Sequence, residues 1–296
     1  MEFINFCNMV KSELQSMTGD TITVRLEEIT KNNNIIRRAV ILNEKELRVA
    51  PSIYLEGYYA EYMDGKSIME ICLDILRCHV RHREVMKIDI SQYGDYEAMR
   101  KYIFIKVINK DMNEKFLKNV PWIEFNDLAV VSYILIEDDN VGRATINITT
   151  KNMEMWNISK DELFQEAIEN TKENMKVSFS TIKDVLEEIM QEKSEEFQLA
   201  EDAGIYVLTN DSKLNGAMYI YLDEVLENVC NEIEDDFYIL PSSIHELLII
   251  PKANGMNVDE LKDMVINVNN TAVEPGEVLS DSVYEYVKSE GLIWHK

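Results

Sequence analysis

Apolar positions recur along the chain with two periods, and their alternation lays out the elements. Phe3, Phe6, Cys7, Val10 and Leu14 fall at helical spacing, which predicts a helix over 3–17 closed by Thr18-Gly19-Asp20. Residues 21–26 alternate polar and apolar, as a half-buried strand does, and Asn32-Asn33-Asn34 turns the chain into a return strand over 35–42. A short aromatic helix is expected over 53–62. Ser67 then opens a helix with Glu70 three residues on, a capping-box pattern, and Ile68, Ile71, Cys72, Ile75, Leu76 and Val80 supply its apolar positions. Strands are expected over 102–107, 127–136 and 143–148, the last two around the turn 137–140. A short helix over 151–156 precedes a second one capped by Ser159, again with an acid, Glu162, three residues later.

The second half continues the alternation. Residues 181–190 are amphipathic, 205–209 read as a strand, and 214–233 read as one helix with Leu214, Ala217, Met218, Tyr221, Leu222, Val225, Leu226 and Val229 on a single face. Strands over 237–240 and 244–250, a helix over 258–268 and a closing strand over 282–287 complete the list. Helices set against mainly antiparallel strands predict an α+β fold, with the helices packed on one face of the sheets. The polar stretch 191–204, with Glu192, Glu195, Glu196, Glu201 and Asp202, reads as a linker between a lobe over 1–190 and a lobe over 205–290. Residues 156–163 and 255–261 each follow a strand pair and lead into an apolar-periodic helix. They are either convergent helix starts or two related ββα units, one per lobe.

Charge sharpens this division. The chain of 296 residues has a net charge of −24, with an apolar fraction of 46%. That length supports a substantial core and excludes a disulfide miniprotein, a disordered tail or a fibre. The acid is uneven: residues 1–183 hold 24 Lys+Arg and 29 Asp+Glu, whereas residues 184–296 hold 6 and 25. Such a balance argues against direct nucleic-acid binding, which needs a basic footprint. Its plain reading is solubility. Its sharper readings are a face for a basic protein partner, or a mimic of nucleic acid. Cys7, Cys72, Cys78 and Cys230 have irregular spacing and read as free thiols in a reducing compartment. The start shows no basic leader, and the apolar run 128–136 is far short of the ~20 residues a membrane helix needs. A cytoplasmic location, with no membrane partner, is expected.

Three constellations could carry chemistry. Cys78, His79 and His82 share helix faces in a zinc-like way, but Arg77, Arg81 and Arg83 crowd them, so no metal is expected. The segment Pro241-Ser242-Ser243-Ile244-His245-Glu246 is the leading candidate site. Side-by-side Ser, His and Glu make a poor triad, because in extended chain Glu246 points away from His245. His245 could still pair with an acid from elsewhere, or Ser242 and His245 could line a polar pocket. Otherwise the segment is a bend closed by proline and serine. Asn210, Ser212 and Asn215, at a strand-to-helix junction, suit a helix cap or an anion site. Asp211 would repel an anion there. Tyr54, Tyr58, Tyr59 and Tyr62 read as core or as a protein-binding patch.

Several strings together carry a resemblance. They are Thr30-Lys31-Asn32-Asn33, Ala50-Pro51-Ser52-Ile53-Tyr54-Leu55-Glu56, Asp127-Leu128-Ala129-Val130-Val131, Glu154-Met155-Trp156, Tyr206-Val207-Leu208-Thr209-Asn210, residues 238–246 and residues 278–284. With them the chain resembles, over nearly its whole length, a bacterial domain-of-unknown-function family, number fifty-six eighty-eight. The resemblance implies a bacterial cytoplasmic protein and brings no activity, cofactor or catalytic residue with it. The strand–helix–strand–strand–helix order of the second half is also similar to another uncharacterised bacterial family, which adds to the fold argument only.

The leading expectation is a non-catalytic binding or regulatory protein whose acidic C-terminal lobe meets a basic protein. The alternative is a small-molecule enzyme or ligand-binding protein built on Ser242, Ser243, His245 and Glu246. No catalytic motif is recognisable and no cofactor is expected.

Overall fold

The computed structural model describes residues 2–44, 50–85, 93–138, 142–190 and 204–296. Their contacts resolve two compact units, 1–99 with 135–145, and 100–134 with 146–296. The linker expected at 191–204 lies outside the described residues except for Gly204, and the tip of the 137–140 turn lies outside them too.

The first unit starts with α1 (Phe3–Thr18), β1 (Ile22–Thr30) and β2 (Ile36–Glu44). β1 and β2 form an antiparallel hairpin in register from Ile22 opposite Glu44 to Thr30 opposite Ile36. Asn33 and Asn34 turn it with φ of 57° and 56°, a left-handed conformation that asparagine tolerates better than most residues. The aromatic helix expected over 53–62 is divided. Ser52–Tyr54 is β3, paired with β2, and Glu56–Met63 is α2. The backbone N–H of Leu55 bonds to Arg38 O at 2.9 Å, which carries the strand pairing to the helix start. α3 (Ile68–Val85) and the one-turn α4 (Tyr96–Met99) follow. Ser67 and Glu70 form the anticipated reciprocal bonds at the start of α3. Apolar faces of these elements meet in one cluster, with Phe6, Cys7, Val10, Leu14, Leu42, Leu55, Ile71, Cys72 and Ile75 fully buried. Tyr58, Tyr59 and Tyr62 pack against that cluster, with Phe6 5.3 Å from both the Tyr59 and Tyr62 rings.

Next come β4 (Ile103–Asn109), α5 (Glu114–Leu117), β5 (Trp122–Phe125), β6 (Leu128–Asp138) and β7 (Gly142–Asn147). β6 pairs with β4, β5 and β7. After α6 (Thr150–Trp156) and α7 (Lys160–Asn174), the chain enters a six-stranded sheet. Its elements are β8 (Val177–Thr181), α8 (Ile182–Met190), β9 (Tyr206–Asn210), α9 (Asp223–Ile233), β10 (Phe237–Leu240), β11 (Leu247–Pro251), α10 (Val258–Thr271), β12 (Val283–Val287) and β13 (Gly291–His295). The strand order is β13-β12-β10-β11-β9-β8, antiparallel throughout. The molecule is thus α+β. β8 and β9 lie on either side of the expected linker and pair in this one sheet.

Buried polar groups fix α7 to β4. Asn170 Nδ2 donates to the carbonyls of Arg100 and Ile103 at 2.7 and 3.0 Å, and Thr171 Oγ1 accepts from Ile105 N–H at 3.1 Å. Each would cost free energy if left without a partner, so they specify how helix meets strand.

Four expectations need correction. Residues 214–233 are not one helix. Gly216–Tyr221 is a 3-10 turn, Leu222 is extended, and only Asp223–Ile233 is α-helical. The cause is burial on every side: residues 216–220 are all buried, so this segment has no solvent face to make amphipathic. β11 begins at Leu247, so Ile244, His245 and Glu246 lie in a bend and not in a strand. β12 is not the last strand, because β13 pairs with it at the sheet edge. Val80 is 62% exposed and does not join the core. Among the described residues, no helix is long and apolar enough to cross a membrane.

The two similar helix starts share geometry as well as sequence. Asn157 and Gly255 both have left-handed backbone, with φ of 54° and 81°. Ser159 with Glu162, and Asn257 with Glu260, then close full capping boxes, and Leu163 and Leu261 one residue later are fully buried. Ser159→Ala and Asn257→Ala should each cost about 1 kcal/mol of stability in urea unfolding. Lys160→Ala, on the solvent side of the same turn, should leave the midpoint in place.

Candidate functional site

Four of the sequence strings that are far apart in the chain meet in the second unit. The loop after β10 runs beside the segment leading into β12: Leu279 N–H bonds to Ser242 O at 3.0 Å, Ser280 N–H to Pro241 O at 2.9 Å, and Ile244 N–H to Glu277 O at 2.9 Å. Ser243 and Val278 form an isolated antiparallel bridge. Thr209, near the end of β9, donates its hydroxyl to His245 O at 2.8 Å. Asn109, at the end of β4, donates its amide to Leu279 O at 2.9 Å.

Asp127 anchors this meeting point. Its carboxylate accepts from Ser280, Ser282 and Tyr284, with the Ser282 bond at 2.9 Å. Ser280 is 1% exposed and Tyr284 is fully buried. Burial, then the Asp127 charge and hydrogen bond, hold the Tyr284 phenol far above its ordinary range. Asp281 is a bend, and Ser282 N–H bonds to Ser280 Oγ at 2.9 Å, so both hydroxyls meet Asp127 just before β12 begins. The Ser-x-Ser-x-Tyr spacing is legible in sequence, whereas the carboxylate comes from the turn between β5 and β6 and has no local signal.

His245 sits at the edge of the same region. Its Nδ1 accepts the Asn215 N–H at 3.2 Å, which places the neutral ring's proton on Nε2. Nε2 faces Glu277 Oε1 at 3.6 Å, an ion-pair distance if the ring is charged and too long for a good hydrogen bond. The acid opposite His245 is therefore Glu277 and not the adjacent Glu246. Ser243 Oγ accepts from the His245 backbone N–H at 3.0 Å, and Ser242 and Ser243 are 5% and 4% exposed. The Ser243 hydroxyl thus serves the bend, and both serines are buried away from solvent.

The strand-to-turn junction is braced from within. Asn210 Oδ1 accepts from Leu214 N–H at 3.2 Å and from Ser212 Oγ at 2.8 Å, while its Nδ2 donates to Leu214 O at 2.8 Å. Asn215 precedes the 3-10 turn with left-handed backbone and makes no side-chain cap. Gly216 comes next, where a Cβ would fall 2.5 Å from His245 O, 2.8 Å from Thr209 Cα and closer still to the Thr209 hydroxyl. Only glycine lets these three segments touch.

Away from these residues, a cleft of about 450 Å³ is lined by Cys230, Asn231, Glu234, Asp235, Asp236 and Lys288. Much of its polar lining has internal work. Asp235 accepts the Ala253 N–H at 2.7 Å, Asp236 accepts the Lys288 N–H at 2.9 Å, and Lys288 Nζ donates to Asn231 at 2.7 Å. Burial and the neighbouring acids, Asp236 first, raise the Cys230 thiol, which leaves it a poor nucleophile. All four cysteines are free, and burial pushes Cys72 up to about 11. In the zinc-like constellation, His79 is 2% exposed and its Nε2 meets Glu44 at 2.9 Å, while the His82 side chain lies outside the described residues. Among the described residues, no group of three or more His, Cys, Asp and Glu is arranged to hold a metal ion.

Comparison with known proteins returns a family model described as "Family of unknown function (DUF5688)", matched over residues 3–288. No curated protein and no solved structure matches.

Three outcomes test the geometry. Asp127→Ala strands three hydroxyls and should cost on the order of 3 kcal/mol in denaturant unfolding. Gly216→Ala should cost a similar amount, about 3 kcal/mol, through overpacking against backbone atoms. Tyr284 has a folded value above its unfolded one, so its contribution is intact below pH ~10 and is lost as pH rises further. Tyr284→Phe should blunt that alkaline loss, measured by unfolding at pH 8 and above pH 10.

Proposed function

We propose a function for a chain that belongs to this family of unknown function: it is a non-catalytic binding or regulatory protein whose acidic C-terminal part meets a basic protein partner. The observation that carries the reading is how the few cations after residue 183 are used. All six are lysines. Lys193 lies outside the described residues. Lys213 pairs with Glu188 at 2.8 Å and Lys252 with the largely buried Glu285. Lys262 donates to Lys296 O at 2.6 Å, and Lys288 donates to Asn231. Lys296 stands 5.9 Å over the Trp294 ring.

Internal use of the lysines leaves the surface carboxylates in large excess. Asp223 and Glu224 on α9, and Asp259 and Glu260 on α10, lie in first turns, where they complement the helix dipole. Glu227, Glu232, Glu234 and Asp263 are exposed beyond those turns and gain nothing from it. Asp223 and Glu227 are one turn apart, a like-charge spacing that disfavours the helix slightly. A cationic partner would relieve that repulsion and be steered to it.

A small-molecule site at Ser242, Ser243, His245 and Glu246 is the second reading. The half-exposed His245–Glu277 pair favours it, and the burial of both serines weighs against hydrolytic chemistry there. Nucleic-acid mimicry remains a special case of the first reading, with a nucleic-acid-binding protein as partner.

The test is affinity capture from cells that make the protein, at ~50 and ~500 mM salt, straddling strong and weak screening. A basic protein should be retained at low salt and released at high salt. Glu227→Lys with Glu232→Lys should weaken retention by about tenfold or more at unchanged helical circular dichroism. Nothing retained at low salt, or retention indifferent to the variant, overturns the reading.

A further inference from the structure

α3 has two apolar faces. One is in the core of its own unit, where Ile71, Cys72 and Ile75 are fully buried and His79 is 2% exposed. The other looks outward: Met69, Leu73 and Val80 are 49%, 39% and 62% exposed, and Leu76 is half-buried between them. Single exposed apolar residues are ordinary. These four are not scattered. They step along the helix by four, three and four residues, the spacing of a coiled-coil seam.

The spacing is also a palindrome. Two copies of α3 laid antiparallel about a two-fold axis therefore meet layer on layer. With the axis crossing between Asp74 and Ile75, Met69 falls opposite Val80 of the partner subunit, and Leu73 opposite Leu76 of the partner subunit. The charges obey the same symmetry. Glu70, which also closes the Ser67 cap, is exposed on the N-terminal half of this face, and the Arg77 side chain, which pairs with Asp74 at 2.7 Å, is 67% exposed on the C-terminal half. Both take the flanking e position, so the antiparallel register sets Glu70 beside Arg77 of the partner subunit, twice. A parallel pair would set these e positions against uncharged g positions, and the two ion pairs would be lost. A foreign helix would not require α3 to be complementary to itself.

We propose that α3 is the contact helix of an antiparallel homodimer of this chain. The seam is four side chains per copy, well short of the roughly 800 Å² per partner of a standard stable interface. The dimer is accordingly weak, in the micromolar range, and depends on concentration. It uses a different surface from the acidic C-terminal part and does not rest on the function proposed for that part.

Sedimentation velocity of the full chain, under reducing conditions from ~1 to ~200 μM, reads this directly. The expected result is a monomer–dimer equilibrium. Leu73→Glu with Val80→Glu should raise Kd by at least about tenfold, with circular dichroism unchanged, since both positions are already solvent-facing. Arg77→Glu alone should weaken association through the Glu70 contact, and Glu70→Lys with Arg77→Glu should restore most of the loss in Kd, while its lost Ser67 cap shows separately as a lower urea midpoint. A wild-type chain that stays monomeric throughout overturns the proposal, as does a dimer whose Kd ignores Leu73→Glu with Val80→Glu. A charge swap no tighter than Arg77→Glu overturns the antiparallel register.

Discussion

The second unit depends on one carboxylate. Asp127 holds Ser280, Ser282 and Tyr284 at the entry to β12, and β12 lies between β10 and β13 in the six-stranded sheet. A carboxylate among largely buried side chains is costly unless its lone pairs are met by donors. Three hydroxyls meet them here, and bonds to an ionised acceptor are stronger than neutral ones. The same contact keeps the buried Tyr284 neutral, because a phenolate beside Asp127 would put two anions together. The segment leading into β12 then has one available path, and the 241–244 loop bonds its backbone to that path at three places.

This arrangement bears on function through what it leaves over. Ser243 serves the bend, His245 Nδ1 receives a backbone N–H, and the Asn210 amide closes its own loop. Polar groups satisfied by backbone rigidify a structure and specify its packing. They are not available to a substrate without first breaking the bonds that place them. The sequence strings of the resemblance coincide with this junction at Asp127, Thr209, Asn210, 241–246 and 278–284, so much of their polar chemistry serves the fold. Groups with fewer such duties lie on the surface, as Glu227, Glu232 and Asp263 on α9 and α10 and the apolar outer face of α3.

Periodicity and caps made much of this legible from sequence. α3, α7 and α10 announce themselves because an apolar stripe and a start signal agree, as at Ser67 with Glu70 and Ser159 with Glu162, and α1 because its stripe meets the stop at Thr18-Gly19-Asp20. The paired helix starts at 157–163 and 255–261 were visible for the same reason. β5, β8 and β13 were not anticipated. They are four or five residues long, and Val177 and Trp122 offer no clean alternation by which a strand is recognised. Residues 214–222 misled because an apolar run buried on all sides has the composition of a helix face without its geometry. Ser242, Ser243, His245 and Glu246 were legible as a polar cluster. Their partners Glu277, Thr209 and Asn215 come from other elements, and neither spacing nor composition points across that distance.

The two outward surfaces differ in how they respond to the solvent. Each chain has a net charge of −24, so two copies repel at long range, and dissolved salt screens that repulsion. The α3 seam is apolar at its centre and has only two short ion pairs at its margin. Added salt therefore weakens those pairs modestly while removing a larger whole-molecule penalty. Contact between surface carboxylates and a cationic partner has no apolar centre, so screening removes its driving force directly. Ionic strength thus acts on the two associations in opposite directions. The two proposed contacts lie on different surfaces, so neither excludes the other, and ionic strength sets only their relative extents.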